Sequence, residues 1–310
     1  MTSPVISIIL PTYNGERYIR TSIESCLNQS FQDFELIIVN DCSTDSTKNI
    51  IEEYAANDKR GRIKIINNPY NKKLPLSLNA GFEQAIGKYY TWTSDDNYYA
   101  PNALQTLLDT IEADDTIDLV YTDYTLIDNN GIIIGQRTFH DIYDSFHRWK
   151  GCGACFLYKA IVHSALNGYN PCAFLIEDYD FFVRAFLQFQ FKYIQNYELY
   201  YYREHAASLT GTQSDWVNDL SKIFIERQLP SLIKKLPKKE GALLYRKFAV
   251  YFSVYKNNKR KSNFYLEKLY KISKIDAWKA VIYIPIIKLA HSFTVGFSGL
   301  KTLFLLSLKK

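Results

Sequence analysis

The sequence predicts an α/β protein: a mostly parallel sheet with helices on both faces, followed by a helical region. Three observations carry this. Short, continuously apolar, β-branched runs alternate with helix-length segments through the first half, as strands buried on both faces do. A chain of 310 residues, 47% of them apolar, can bury one large core with a helical appendage to spare. After Thr212 the strand signals stop and helical spacing takes over. The expected division is therefore 1–212 for the α/β body and 213–310 for a basic, apolar helical region.

The elements follow in order. VISIIL (5–10) is the first strand, and a helix runs from Glu16 to about Asn28. FELIIVN (34–40) is the second strand, and Asp45 or Ser46 can cap the helix that passes through Tyr54 and Ala55. RIKII (62–66) is the third strand, LSLNAGFEQAI (76–86) the third helix and KYYTWTS (88–94) the fourth strand. Pro101 suits a first helical position before NALQTLLDTIE, and IDLVYTDY (117–124) is the fifth strand. Asn130-Gly131 reads as a hairpin turn. Further on, IEDYDFFVRAF opens a helix and YELYYYR is strand-like.

Charge is divided unevenly. Residues 234–310 carry 18 Lys/Arg against 3 Asp/Glu, whereas residues 1–233 carry 19 against 29. That split suggests an acidic, ligand-binding body and a tail that meets something anionic. Five cysteines, an odd number spread thinly, argue against a disulfide framework and for a reducing compartment. Cys152 and Cys155 have the spacing of half a zinc site, but only Cys172 lies near, so buried inert thiols are expected. The apolar run after the initiator is too short for a signal sequence and lacks a basic start, which makes the cytoplasm the expected compartment.

In parallel sheets, ligands bind beyond the carboxyl ends of the strands. The polar stretches at those ends are PTYN (11–14), NDCSTD (40–45) and SDDN (94–97), and all three fall on one edge. Such an edge can serve a nucleotide sugar. Tyr13 can lie beside a nucleobase, and Asp41 can accept the imide N–H of uracil. Asp95 and Asp96 can hold a hard divalent cation, Mn²⁺ or Mg²⁺, and a ribose hydroxyl. Each motif alone has a plain alternative in loop and cap chemistry; their common register favours the ligand-binding reading.

With those motifs in place, VISIILPTYNGERYIRTSIESCLNQSFQDFELIIVNDCSTDST resembles the inverting family 2 glycosyltransferases, whose fold is GT-A. LNAGFEQAIGKYYTWTSDDN, IEDYDFFVRAF and YYREHAASLT continue the likeness in order, over residues 3–212. The resemblance implies a nucleotide pocket of Pro11, Tyr13 and Asp41, with Asp95 on the ribose or metal and Asp96 on the metal. It implies Asp178 as the general base and His205 as a late contact to the metal or diphosphate. The implied partners are a UDP-sugar donor and a saccharide acceptor, lipid-linked in bacterial surface-polysaccharide assembly, with no role for nucleic acid. Two departures from the family pattern matter. Asn40 stands for the first acid of VDDGSTD, and Thr93 for the first Asp of D-x-D. These departures admit an alternative, a catalytically silent nucleotide-binding scaffold of a membrane glycan-synthesis complex. They also leave open which of Asp95 and Asp96 binds the cation, and Glu177 and Asp180 compete with Asp178 as base. Acceptor specificity is expected in residues 125–176.

The last stretch, AWKAVIYIPIIKLAHSFTVGFSGLKTLFLLSLKK (277–310), is interrupted by Lys288 and Lys301 before an apolar run reaches the ~18 residues of a spanning helix. Its Trp, Phe and Tyr with flanking lysines suit a helix lying at an anionic membrane surface, hence a peripheral position at the inner face of the cell membrane. A helix docked on the catalytic domain is the alternative.

Overall fold

A computed structural model describes residues 3–149, 151–205 and 214–296. The chain forms two compact units. One contains Met1–Ile142 with Trp149–Ile225, and the other Tyr143–Arg148 with Glu226–Lys310.

The first unit is built on a seven-stranded sheet. Its strands are β1 (Ile6–Thr12), β2 (Phe34–Asn40), β3 (Ile63–Asn67), β4 (Tyr89–Trp92), β6 (Leu119–Thr122), β9 (Phe156–Lys159) and β10 (Phe191–Ile194), in the spatial order β10-β6-β9-β4-β1-β2-β3. Every residue of β1 and β2 is buried, and the two polar residues that interrupt their apolar runs satisfy each other, the Ser7 hydroxyl donating to Glu35 at 2.6 Å. Helices α1 (Ile19–Leu27), α2 (Thr47–Asn57), α3 (Leu74–Glu83) and α4 (Ala103–Glu112) make the crossovers. Asp45 does act at the start of α2, its carboxylate accepting from the Thr47 N–H at 3.0 Å. Pro75 lies in the first turn of α3.

Parallel pairing sets β1 residue for residue against β2, from Ile6 opposite Phe34 to Thr12 opposite Asn40. On its other side β1 pairs in parallel with β4, Ile9 opposite Trp92. The stretches 11–14, 40–45 and 94–97 thus leave the sheet side by side. β9 runs antiparallel to both β4 and β6. At four residues it is too short to stand out from the mixed sequence around it.

A second, four-stranded sheet stands beyond that edge. It consists of β5 (Tyr98–Tyr99), β7 (Tyr124–Ile127), β8 (Ile133–Arg137) and β11 (Tyr200–Arg203), in the order β5-β11-β7-β8. The predicted strand 117–124 is therefore two strands in two sheets. Asp123, fully buried between them, accepts from the Phe139 N–H at 2.8 Å and the Tyr193 hydroxyl at 2.6 Å. Those bonds hold the chain where it changes sheet. The predicted hairpin joins β7 to β8, with Gly131 at φ +84°. The unit is completed by α6 (Ala160–Ala165) and α7 (Glu177–Gln188), while the short α5 (Ile142–Ser145) leads into the second unit.

The helices after the second sheet are α8 (Ser214–Lys235), α9 (Lys238–Val250), α10 (Lys259–Ile272) and α11 (Lys274–Gly296). In the second unit Ala242, Leu269, Ala277 and Ala280 pack with Tyr245, Leu266 and Ile272. The 143–148 segment joins it through the His147 ring, 2.8 Å from Glu240. Among the described residues no helix is long and apolar enough to cross a membrane. The end of the apolar tail, 297–310, lies outside the described residues.

Candidate active site

The loop after β1 is tied to the loop after β2 by reciprocal hydrogen bonds. The Asn14 N–H donates to Ser43 Oγ (3.0 Å) and the Thr44 N–H donates to Asn14 Oδ1 (2.8 Å). The Gly15 N–H donates to Thr47 Oγ1 (2.9 Å), the Glu16 N–H donates to Asp45 Oδ2 (3.2 Å), and the Ser46 N–H donates back to Glu16 Oε2 (2.9 Å). Pro11 is buried within β1, while the Tyr13 ring stands half exposed at its end, free to lie against a planar ligand. Asn40, the first departure from the family pattern, spans the ends of β2 and β3. Its amide donates to Asn67 and its oxygen accepts from the Ser43 N–H. A carboxylate there could not donate the first of these bonds.

Asp41 is buried, and its orientation is fixed. Oδ1 accepts from the Asn68 amide and the Lys72 N–H, both at 2.8 Å, and Oδ2 accepts from the Lys73 N–H at 2.9 Å. Lys73, at φ +70°, turns the backbone so that both N–H groups face the carboxylate. A carboxylate offers about four acceptor positions, so Oδ2 keeps capacity for one ligand N–H. Asn68, Lys72 and Lys73 went unnoticed in the sequence because they reach Asp41 only through tertiary contact.

Asp95 and Asp96 lie in the loop after β4, beyond Thr93 and Ser94. Asp95 accepts from the Thr12 hydroxyl, and Gly15 comes so close that a Cβ there would collide with both groups. Burial, and then the neighbouring charge of Asp96, raise the Asp95 carboxyl to about 7. Asp96 pairs through Oδ2 with His205 Nε2 at 2.9 Å, while its Oδ1 is buried with no partner. Thr93, the second departure, is buried and hydrogen-bonded to the Tyr200 hydroxyl at 2.7 Å, so it links β4 to the second sheet.

Arg203 holds this loop from beneath. Its backbone N–H donates to Asn97 Oδ1, Nε donates to the Asp96 carbonyl (2.9 Å) and a terminal N–H donates to the Asp128 carbonyl (2.8 Å). Its guanidinium lies 4.4 Å from the Tyr18 ring centroid. An arginine inside the aromatic run YYYR was the available clue, since a charge on a buried strand needs partners.

The third group lies at the start of α7. Asp180 is committed to Arg184, 2.7 Å away. Asp178 remains partly exposed; its Oδ1 accepts from the Tyr179 N–H, and burial raises its carboxyl above the usual range. Its charge is felt at Tyr124, Cys152 and Tyr169, an aromatic and thiol floor. Glu177 is buried with Oε2 unpartnered, and burial with the Asp178 charge raises it to about 8. Leu175, just before it, sits at φ +77°, a costly conformation for leucine. Cys152 and Cys155 are fully buried beneath, with thiols that burial pushes up, Cys155 to about 12.

Residues 7–166 match the family model described as glycosyl transferase family 2. The chain is 33% identical over 190 residues to a putative glycosyltransferase, EpsE, of Bacillus subtilis, covering 60% of this chain and 68% of that protein. Among solved structures it resembles S. aureus TarS 1–349 in complex with UDP (TM-score 0.64, 18% identity), covering 94% of this chain and 90% of TarS 1–349. It also resembles the mannosyltransferase PcManGT of Pyrobaculum calidifontis in complex with GDP-Man and Mn²⁺ (TM-score 0.58, 14% identity; 98% and 88% covered).

Proposed function

The chain belongs to glycosyl transferase family 2, and from that membership we propose an inverting transfer of a sugar from UDP to a saccharide hydroxyl. The observation that carries the reading is the convergence of Asp41, Asp95 and Asp96 on one sheet edge, with Asp178 at the start of α7 in the same unit. Asp41, oriented by Asn68 and two backbone N–H groups, accepts the uracil imide proton, and Tyr13 covers the base. TarS, whose fold this chain shares, binds UDP, which supports that choice of nucleotide.

The residues fit a divalent cation of the Mg²⁺ or Mn²⁺ kind. Asp96 Oδ1 is an unpartnered hard oxygen with Asp95 beside it. Among the described residues no three His, Cys, Asp or Glu side chains converge on one point. These ions need no such cage, because they take one or two carboxylates and fill their shell with phosphates and water. His205, paired with Asp96 Oδ2, orients that carboxylate and lies beside it where a contact to the metal or diphosphate is expected. When bound, the cation neutralises charge developing on the leaving diphosphate.

Asp178 takes the proton of the acceptor hydroxyl as that oxygen attacks the anomeric carbon from the face opposite UDP. Burial raises its pKa, which makes it a stronger base than an ordinary aspartate. Thr93 and Asn40, the departures that admitted a silent scaffold, each have a structural place away from these oxygens. The acceptor belongs to surface-polysaccharide assembly, on a lipid carrier at the cytoplasmic face of a membrane. Its specificity resides in 125–176, where the β7–β8 hairpin begins at Asp128, against Arg203.

Calorimetric titration with UDP and with GDP, each with Mn²⁺ and with EDTA, tests the donor side. Tight binding of UDP only with Mn²⁺ is expected. Preference for GDP would reassign the base pocket, and metal-independent binding would remove the cation from Asp95 and Asp96.

A further inference from the structure

Helix α11 is apolar on two opposite sides. Ala277, Ala280 and Ile284 face inward, two of them in the core of the second unit. At 100° per residue, Ile275, Trp278, Ile282, Ile286 and Leu289 form one stripe about 160° away from that buried side. They are 69%, 64%, 60%, 46% and 61% exposed. Val281 and Tyr283 widen the stripe. A helix that needed only to pack would carry polar groups there, as the amphipathic surface helices of globular proteins do.

Charge indicates what covers the stripe. Lys274 and Lys279 flank it, one on each side, and exposed Lys268 and Lys271 precede it on α10. Throughout residues 234–310 basic side chains outnumber acidic ones by 18 to 3. An apolar protein partner would not require that excess, whereas an anionic lipid surface takes both features together. The apolar stripe enters the acyl boundary, Trp278 sits at headgroup depth, and the lysines remain among the phosphates. At about 34 Å the helix is long enough to lie flat on such a surface.

We infer that α11 is an interfacial membrane helix, bound through Ile275, Trp278, Ile282, Ile286 and Leu289 to an anionic lipid surface. This deepens the membrane part of the reading above and rests on none of the donor chemistry. Binding is measured without any sugar, so its failure leaves the UDP assignment standing.

The test is co-sedimentation of the full chain with vesicles of equal parts phosphatidylglycerol and phosphatidylcholine, and with phosphatidylcholine alone. Binding to the anionic vesicles, weakened by added salt, is expected. Fluorescence from Trp278, taken as the difference between the chain and its Trp278→Phe variant, should be quenched by brominated lipid. Ile282→Asp should weaken partitioning roughly tenfold or more while leaving UDP affinity unchanged. If that variant fails to fold, Lys274→Glu with Lys279→Glu reads the electrostatic half alone and should also weaken binding. No binding of the parent chain overturns the inference. So does binding that neither variant weakens, unquenched Trp278, or a stable dimer in solution that Ile282→Asp dissociates.

Discussion

The strand-end loops and the first turn of α7 treat their carboxylates in opposite ways. At the strand ends, Asp41, Asp45 and Asp95 all accept hydrogen bonds from neighbouring backbone or hydroxyl groups, and Asp96 leaves one oxygen open. At α7, Glu177 is buried with an unpartnered oxygen and Asp178 accepts from the N–H that follows it. The first arrangement fixes carboxyl groups in place before a ligand arrives, although burial raises Asp95 there as well. The second leaves carboxyl groups poorly solvated, which favours their protonated forms and makes a stronger base of the one that ionises. On the function proposed above, donor binding and proton transfer would occupy different parts of one unit.

The sharpest way to break this contrast is Asp178→Asn. Transfer should fall on the order of 10²–10⁴-fold, with UDP affinity changed by less than about twofold. Full activity in that variant would move the base to Glu177, because Asp180 is held by Arg184. Next come changes at the donor edge. Asp96→Asn should cost on the order of 10–100-fold in Mn²⁺-dependent UDP binding. Gly15→Ala should act in the same direction and less strongly, since its Cβ displaces the Asp95 carboxylate without removing it. Titration against Mn²⁺ separates the two, and an unaffected Asp96→Asn variant would remove the cation from that residue.

The parallel core and the meeting of three polar stretches on one edge were legible in the sequence because both depend on local patterns. Continuous apolar strands give the sheet, and parallel register brings 11–14, 40–45 and 94–97 together without any further information. What escaped the sequence depends on tertiary partners. Arg203 gains its meaning from three acceptors in two distant loops. The division of 117–124 into two strands turns on Asp123, whose partners lie 16 and 70 residues away. The competition among Glu177, Asp178 and Asp180 is of the other kind, since Asp180 and Arg184 lie four residues apart on one helix and their pairing is a local pattern.

A finer test concerns the pair at α7. Glu177→Gln removes the carboxyl group beside Asp178 while keeping the side chain's shape. Because Asp178 must be ionised to act, its raised pKa sets the acid limb of kcat/KM above the ~4 of an ordinary aspartate. Burial, the cause of that shift, persists in the variant, and Glu177, held up to about 8, is neutral while Asp178 ionises, so the limb should stay where it is. A limb that moves to lower pH would mean Glu177 carries charge in the working range.

The smallest expected effect lies at Cys42, which occupies the glycine position of the family's VDDGSTD pattern. Its φ is +64°, and Asn14 (+56°) and Lys73 (+70°) share that left-handed region nearby. Asparagine tolerates such a backbone, but cysteine does so at a cost of about 1 kcal/mol. Cys42→Gly relieves that cost while adding unfolded-chain entropy and losing a weak thiol contact to the Pro69 carbonyl. The net expectation is a gain of a few tenths to about 1 kcal/mol in unfolding free energy, with UDP affinity unchanged. Thermal unfolding of the two proteins decides it. A loss instead would mean the thiol packs usefully against the β3–α3 loop, and the donor edge would then owe its rigidity to side-chain contacts as well as to its hydrogen bonds.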